Sequence, residues 1–320
     1  MTEIPLEPHP FAWEIIGVGT LLILATLLGE ALRWRYAPNE DNTTIENLNA
    51  RIMAWWAMTA LVALFSLGGD AGIVVLFAIC SFSALREFMT LTRKRVADHW
   101  AIAASFFVML PVQYVLVGMG WYGMSSMFIP VYAFLLLPIL SALEGDRTNF
   151  LERVAETQWA LMICVYCMSH VPALLTLEIP GYDGRPILLI AWLVIVVQIA
   201  DVLQYAGTKL IGRRKIAPAL SRSRTWEGTM AGVLLASLIG GALWWITPFA
   251  PWQALLLALM VAAVGMFGAL VMNAIKRDRG VKDWGPMFAG HGGFIDRLDS
   301  VLFAAPIFFH VVRFFFDASP

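Results

Sequence analysis

Charge is what this chain has least of. Only 14% of its 320 residues are Asp, Glu, Lys or Arg, 59% are hydrophobic, and the mean hydropathy is +0.73. A soluble domain carries about 25% charged and about 45–50% apolar residues, so this composition excludes an ordinary water-soluble globule. Cysteine is scarce too: Cys80, Cys164 and Cys167 are the three in the chain, and all lie in apolar runs. Cys164 and Cys167 have the spacing of a redox or metal pair, but no second pair accompanies them, and they read as small buried apolar residues. Polar segments long enough to bury a core of their own are missing, the longest having about 28 residues. Gly/Ser linkers, low-complexity tracts and repeats are absent as well. The N-terminus lacks the Lys or Arg of a signal peptide, and its apolar run over residues 11–32 is longer than an h-region, so it reads as an uncleaved first span.

What is present is a series of apolar runs near the length of about 20 residues that crosses a bilayer. They cover residues 11–32, 54–67, 71–85, 101–119, 123–142, 159–177, 187–208, 230–246, 252–272 and 301–316. The second and third are short and joined only by Gly68-Gly69-Asp70, so 9–10 crossings are expected, in an all-α polytopic membrane protein. Placing the N-terminus outside puts 3, 4, 2, 6 and 5 Lys and Arg in the loops 33–53, 86–100, 143–158, 209–229 and 273–300, which is 20 of 22 on one side. By the positive-inside rule that side is cytoplasmic. A division near Pro180–Pro186 separates N-terminal spans (1–184) from a C-terminal region (185–320) that carries the polar chemistry.

Two segments hold that chemistry. Residues 273–300, NAIKRDRGVKDWGPMFAGHGGFIDRLDS, contain five basic residues, four aspartates and five glycines. Ionisable groups beside a bilayer need partners or water, so such a segment points to a task. Lys276 and Arg277 close a membrane helix, where cations also suit the helix dipole. The glycines flanking His291, Gly292 and Gly293 among them, permit positive φ and close approach to a ligand. Asp296 and Asp299, spaced i, i+3, share one face of a helix starting after Gly293. Paired carboxylates flanked by Lys282, Arg297 and Asp283 suit a hard cation that bridges phosphate oxygens, and the helix N-terminus offers donors to those oxygens. A salt-bridged pair with no metal is the plainer alternative. The second segment, residues 200–228, places Asp201 at the inner end of a span and continues through Lys215, Ser221, Arg224, Thr225 and Glu227. Anchoring on anionic lipid would account for its cations, but not for Thr225-Trp226-Glu227-Gly228.

In order and spacing, Lys276-Arg277, Lys282-Asp283, Gly290-His291-Gly292-Gly293 and Asp296-Arg297-x-Asp299-Ser300 resemble the signature of the CDP-diacylglycerol synthases (phosphatidate cytidylyltransferases). Asp201, Tyr205, Gly212, Lys215, Ala217-Pro218, Ser221 and Thr225-Trp226-Glu227-Gly228 fall where that family has its other motif. The chain departs from it at Gly268-Ala269-Leu270-Val271-Met272-Asn273, where members read Gly-Asp-Leu-x-x-Ser, and at Arg222 and Arg224, so it reads as a divergent branch. The resemblance implies condensation of CTP with phosphatidate in a homodimer of a bacterial inner membrane, without nucleic acid. Asp296, Asp299 and Asp283 would hold Mg²⁺, with a second, monovalent cation left open. Lys276, Arg277, Lys282, Arg297 and His291 would serve the phosphates, and Asp201, Lys215, Ser221, Arg224, Thr225, Glu227, Gly292 and Gly293 would line the substrate site. A CTP-dependent enzyme acting on another lipid or polyprenol phosphate, a transporter, and an inactive relative that binds a partner are the alternatives. His310 and Arg313, one turn apart in the last span, read as packing or interface residues.

Overall fold

A computed structural model describes residues 23, 26, 27, 56, 60–92, 95–221, 224–285 and 292–318. Most of its described residues are helical, and seven of the helices are long and apolar enough to cross a membrane. The protein is an all-α, multi-pass membrane protein. We number its helices α1 Gly69–Thr90, α2 Val96–Gly118, α3 Tyr122–Leu143, α4 Phe150–Thr176, α5 Ile187–Ile211, α6 Trp226–Ala242, α7 Pro251–Asp278 and α8 Ile295–Phe316. The seven that qualify are all but α6. With 17 residues, α6 rises about 26 Å at 1.5 Å per residue. The turn Trp244–Ile246 continues it toward the full hydrocarbon thickness of about 30 Å. Eight of the ten apolar runs thus correspond to described helices. Most of the first run lies outside the described residues, and in the second residues 60–66 are helical.

The chain forms two compact units, 1–76 and 77–320. In the first, residues 60–66 are helical and turn through Gly68 and Gly69 into α1. A side chain at Gly72 would stand 1.9 Å from the Phe65 carbonyl, which is why that turn needs glycine. The second unit contains both polar segments, and the loop 177–186 links α4 to α5 inside it.

Helices in lipid gain little from hydrophobic burial against one another and rely on close packing. In α6, Gly228, Gly232, Ala236 and Gly240 recur every fourth residue and are all buried. A Cβ at Gly228 would lie 2.2 Å from Thr208 Oγ1, one at Gly232 2.7 Å from the Gln204 backbone nitrogen, and one at Gly240 2.6 Å from Ala258 Cβ. This stripe sets α5 and α7 against α6 at near-backbone contact. α8 packs on α4, α5 and α7. Three spans widen by a local π-turn, at Ser105–Met109, Phe128–Ala133 and Met162–Cys167. Pro111, Pro130 and Pro172 lie just after or within these turns, and each removes a helical donor and crowds the carbonyl four residues back. Cys164 is fully buried in one of them, and all three cysteines are unpaired.

The loops sort to two ends. Arg95 pairs with Asp146 at 3.3 Å, Arg153 with Asp98 at 3.5 Å and with Asp146 at 2.9 Å, and Arg279 with Glu156 at 2.7 Å. Arg277 donates to the Leu220 carbonyl at 3.4 Å. These contacts tie the loops after α1, α3, α5 and α7 together, four of the five that the basic count had placed on one side; the fifth, 33–53, lies outside the described residues. At the other end Tyr182 donates to the Ile246 carbonyl, the Glu178 amide donates to Asp317 at 2.9 Å, and Arg313 bonds Asp317 at 2.9 Å. Arg313 also lies 3.9 Å from the Tyr122 ring centroid, and Tyr122 Oη meets His310 Nδ1 at 3.3 Å. His310 and Arg313 are packing residues, as read from the sequence.

Candidate active site

The candidate site lies at the first of these ends, where α5, α7 and α8 converge. Asp201, on the last turns of α5, accepts from Ser300 Oγ at 2.7 Å through Oδ2 and meets Arg224 Nη2 at 3.5 Å through Oδ1. Arg224 Nη1 donates to the Met266 carbonyl on α7 at 2.8 Å. One guanidinium thereby spans α5 and α7 from the loop that precedes α6. Asp299 Oδ1 accepts from its neighbour's backbone, Ser300 N, at 2.8 Å, and lies 3.5 Å from Ser300 Oγ. Ser300 therefore sits between carboxylates from two spans. Asp201, Arg224 and Lys276 all lie within electrostatic reach of Asp299. Among the described residues no donor reaches Asp299 Oδ2.

Asp296 is engaged quite differently. Its Oδ1 takes the Lys276 ammonium at 2.6 Å, and its Oδ2 accepts from the backbone nitrogens of Trp284 at 2.9 Å and Gly293 at 2.8 Å. Lys276 is 7% exposed. The positive φ of Gly292, 82°, belongs to this arrangement: a Cβ there would lie 2.9 Å from Asp296 Oδ2. Asp296 is thus the knot between the end of α7, the turn at Trp284 and the start of α8. Although Asp296 and Asp299 are spaced i, i+3 on α8, their oxygens serve different partners.

Other expected residues divide by position. Thr225 is the N-cap of α6, accepting from Gly228 N at 3.2 Å, and its hydroxyl meets Thr208 Oγ1 at 3.1 Å. Glu227 accepts from the backbone of Arg213 at 3.0 Å and of Arg214 at 3.1 Å, which folds the basic loop onto the helix start. Lys215 pairs in a single β-bridge with Thr225, and its side chain is exposed. Ser221 is buried. Arg277 reaches the Leu220 and Val281 carbonyls, and the carbonyl of Arg297 receives Gln198 Nε2 at 3.2 Å. Lys282 and Asp283 are exposed on the turn before Trp284. His291 lies outside the described residues. Among the described residues no three His, Cys, Asp or Glu side chains gather as a metal-binding group. The trio Asp283, Asp296 and Asp299 is therefore not assembled as one.

Glu87, near the end of α1, was missed. It is 8% exposed, and its carboxylate accepts from Phe294 N at 3.1 Å and Ile295 N at 2.8 Å, the first amides of α8. Those amides had been expected to receive phosphate. The sequence placed Glu87 in the loop 86–100, and only the helix Gly69–Thr90 brings it within a span.

A sequence model described as the cytidylyltransferase family matches residues 49–315. The chain belongs to the cytidylyltransferase family. Over 299 residues it is 37% identical to an uncharacterized protein, YnbB, of Escherichia coli K12, covering 92% of this chain and 95% of that one. It is 32% identical over 197 residues to a phosphatidate cytidylyltransferase of Helicobacter pylori 26695, covering 58% of this chain and 73% of the relative. A phosphatidate cytidylyltransferase of Bacillus subtilis 168 is 31% identical over 195 residues, 60% of this chain and 70% of the relative. Family membership thus extends well beyond residues 200–300, where the motifs are concentrated. It takes in α1, and with it Glu87. The position at which family members were expected to carry an aspartate, Ala269, is fully buried in this chain. That departure leaves Asp201 and Asp299 as the acidic pair at the α5–α8 contact.

Proposed function

We propose that the protein condenses CTP with phosphatidate, giving CDP-diacylglycerol and pyrophosphate, at the cytoplasmic face of a bacterial inner membrane. The observation that carries this reading is the acidic pair Asp201–Asp299, joined through Ser300 and flanked by Arg224 and Lys276 at the end of three spans. The lipid phosphate oxygen forms a bond to the α-phosphorus of CTP, and the bond from that phosphorus to the β-phosphate oxygen breaks. Pyrophosphate leaves with the electron pair. No covalent enzyme nucleophile is needed, because a phosphate monoester is already an anion; the barrier falls through alignment and charge neutralisation.

Asp299, one of whose oxygens meets no donor among the described residues, and Asp201 are hard oxygen ligands of the kind Mg²⁺ takes. When bound, Mg²⁺ would neutralise charge on the triphosphate. Asp296, with both oxygens engaged, holds the loop instead. Arg224 supplies positive charge beside the pair, and Ser300 keeps the two carboxylates apart by donating to one through its hydroxyl and to the other through its amide. The positive-inside count and the gathering of those basic loops at one end support a cytoplasmic site. Purified protein should turn over CTP and phosphatidate with Mg²⁺ and fail without it; absence of turnover under both conditions defeats the reading.

A different lipid phosphate is the alternative acceptor. The relative that is 37% identical over 299 residues is uncharacterized, while the phosphatidate cytidylyltransferases of Helicobacter pylori and Bacillus subtilis are 32% and 31% identical over 58% and 60% of this chain. Supplying labelled CTP with a panel of lipid and polyprenyl phosphates separates the two acceptors.

A further inference from the structure

We propose that Glu87 is a positioning residue of the transfer site, which anchors the first turn of α8 from α1 and keeps phosphate away from that helix end. A helix N-terminus is a ready anion site, because its first amides are unpaired and its dipole favours negative charge. Here both amides nearest the site, Phe294 N and Ile295 N, are taken by the Glu87 carboxylate at 3.1 and 2.8 Å.

The fit is built in sequence on both sides. A Cβ at Gly293 would lie 2.1 Å from Glu87 Oε1, and one at Gly285 would lie 2.4 Å from the same oxygen. Two glycines from the charged segment thus open the space that the carboxylate fills. The neighbouring Phe88 stacks on Trp284 with ring centroids 4.9 Å apart, and Trp284 is 1% exposed. The Trp284 amide in turn donates to Asp296. α1 therefore grips the segment at two adjacent residues, one by charge and one by ring contact. The same turn of α8 carries Asp296, and Asp299 follows three residues later. Removing the Glu87 contacts frees the helix start to rotate or fray, and both aspartates move with it.

The consequence is that substrate phosphates are met by side-chain cations and the Asp201–Asp299 pair, not by the α8 amides. The kinetic side of this inference rests on the transfer reading above; the structural side does not. The test uses the full chain in detergent micelles, with Glu87→Gln, which is nearly isosteric, alongside Glu87→Asp and Glu87→Ala. Hydrogen exchange of the 294 and 295 amides should accelerate about tenfold or more in Gln and Ala, the order of effect of losing a charge-assisted bond. The kcat with CTP should fall between about tenfold and the hundredfold that a misplacement on the order of 1 Å produces. KM for CTP should stay within about threefold, and Asp should recover part of kcat.

Unchanged exchange at these amides in folded Glu87→Ala overturns the anchoring. Accelerated exchange with wild-type kcat, or kcat losses that merely follow the folded fraction, overturns the positioning role. If the wild type turns over no CTP while the amides respond as expected, the transfer reading falls and the anchoring stands. If turnover is present and the amides do not respond, the reverse holds.

Discussion

Replacing Asp296 by Asn tests what the Asp296 carboxylate does. The change preserves size and leaves an oxygen to accept from Trp284 N or Gly293 N, but it leaves the Lys276 ammonium without its counter-ion at 2.6 Å. At an effective dielectric of about 20 the gross attraction at that separation is about 6 kcal/mol. Desolvation of the two ions offsets a large part of it. Removing one partner of a buried pair costs about 3–5 kcal/mol, because the other charge stays buried and unpaired. Lys276 keeps 9% of its side-chain surface exposed, so the lower end, about 3 kcal/mol, applies. Thermal or denaturant unfolding in micelles measures the loss. Lys276→Met alone should also destabilise, and the double variant should be less damaged than the two single losses added, by about 1–3 kcal/mol of coupling. An Asp296→Asn variant as stable as wild type, with weakened Mg²⁺ dependence and no coupling to Lys276, would refute this reasoning and return Asp296 to the metal.

The other expectations follow from the same geometry. Asp299→Asn should lower CTP turnover by about 100-fold or more while leaving the unfolding midpoint near wild type, since its one bond is to the adjacent Ser300 and Asn keeps an oxygen to accept it; turnover at wild-type level removes Asp299 from the site. Gly228→Val should destabilise by about 1–3 kcal/mol or more by forcing α5 from α6, read as a lowered unfolding temperature with unchanged helical content. For pH, the Thr148 amide and hydroxyl, with Arg153 and Arg95, hold the Asp146 carboxyl below its ordinary range. A depressed carboxylate contributes stability that is present above its unfolded pKa, about 3.9, and lost as pH falls through its lower folded value. The stability difference between wild type and Asp146→Asn should therefore be level above roughly pH 5 and shrink below about pH 4; a difference that persists undiminished at lower pH refutes the assignment.

The spans were legible because each is a nearly unbroken apolar run, and the loop charges alternated strongly enough to sort the ends. The turn into α8 was legible from glycine followed by Asp296 and Asp299 at helical spacing. The partners of those aspartates were not. Lys276 is 20 positions from Asp296, Asp201 is 99 from Ser300 and Glu87 is 208 from Ile295. Local periodicity places two carboxylates on one helix face, but it carries no information about what faces them from another helix. Hence one of the pair became a loop fastening while the other faces Asp201 across Ser300. Thr225 was read as lining the substrate site, yet its position three residues before Gly228 also marks a helix cap. The polarity of Glu87 was visible, but it stood beside Arg86 in an expected loop, and its role depended on the glycine cradle of Gly285 and Gly293.

The charged segment after α7 is fastened to α1 through Glu87 and to α4 through the pair Arg279–Glu156. It is therefore not a portable cassette. Grafting the last four helices onto another membrane scaffold would carry over every motif residue and still deliver a slack centre, because the struts that brace it are encoded more than a hundred residues upstream.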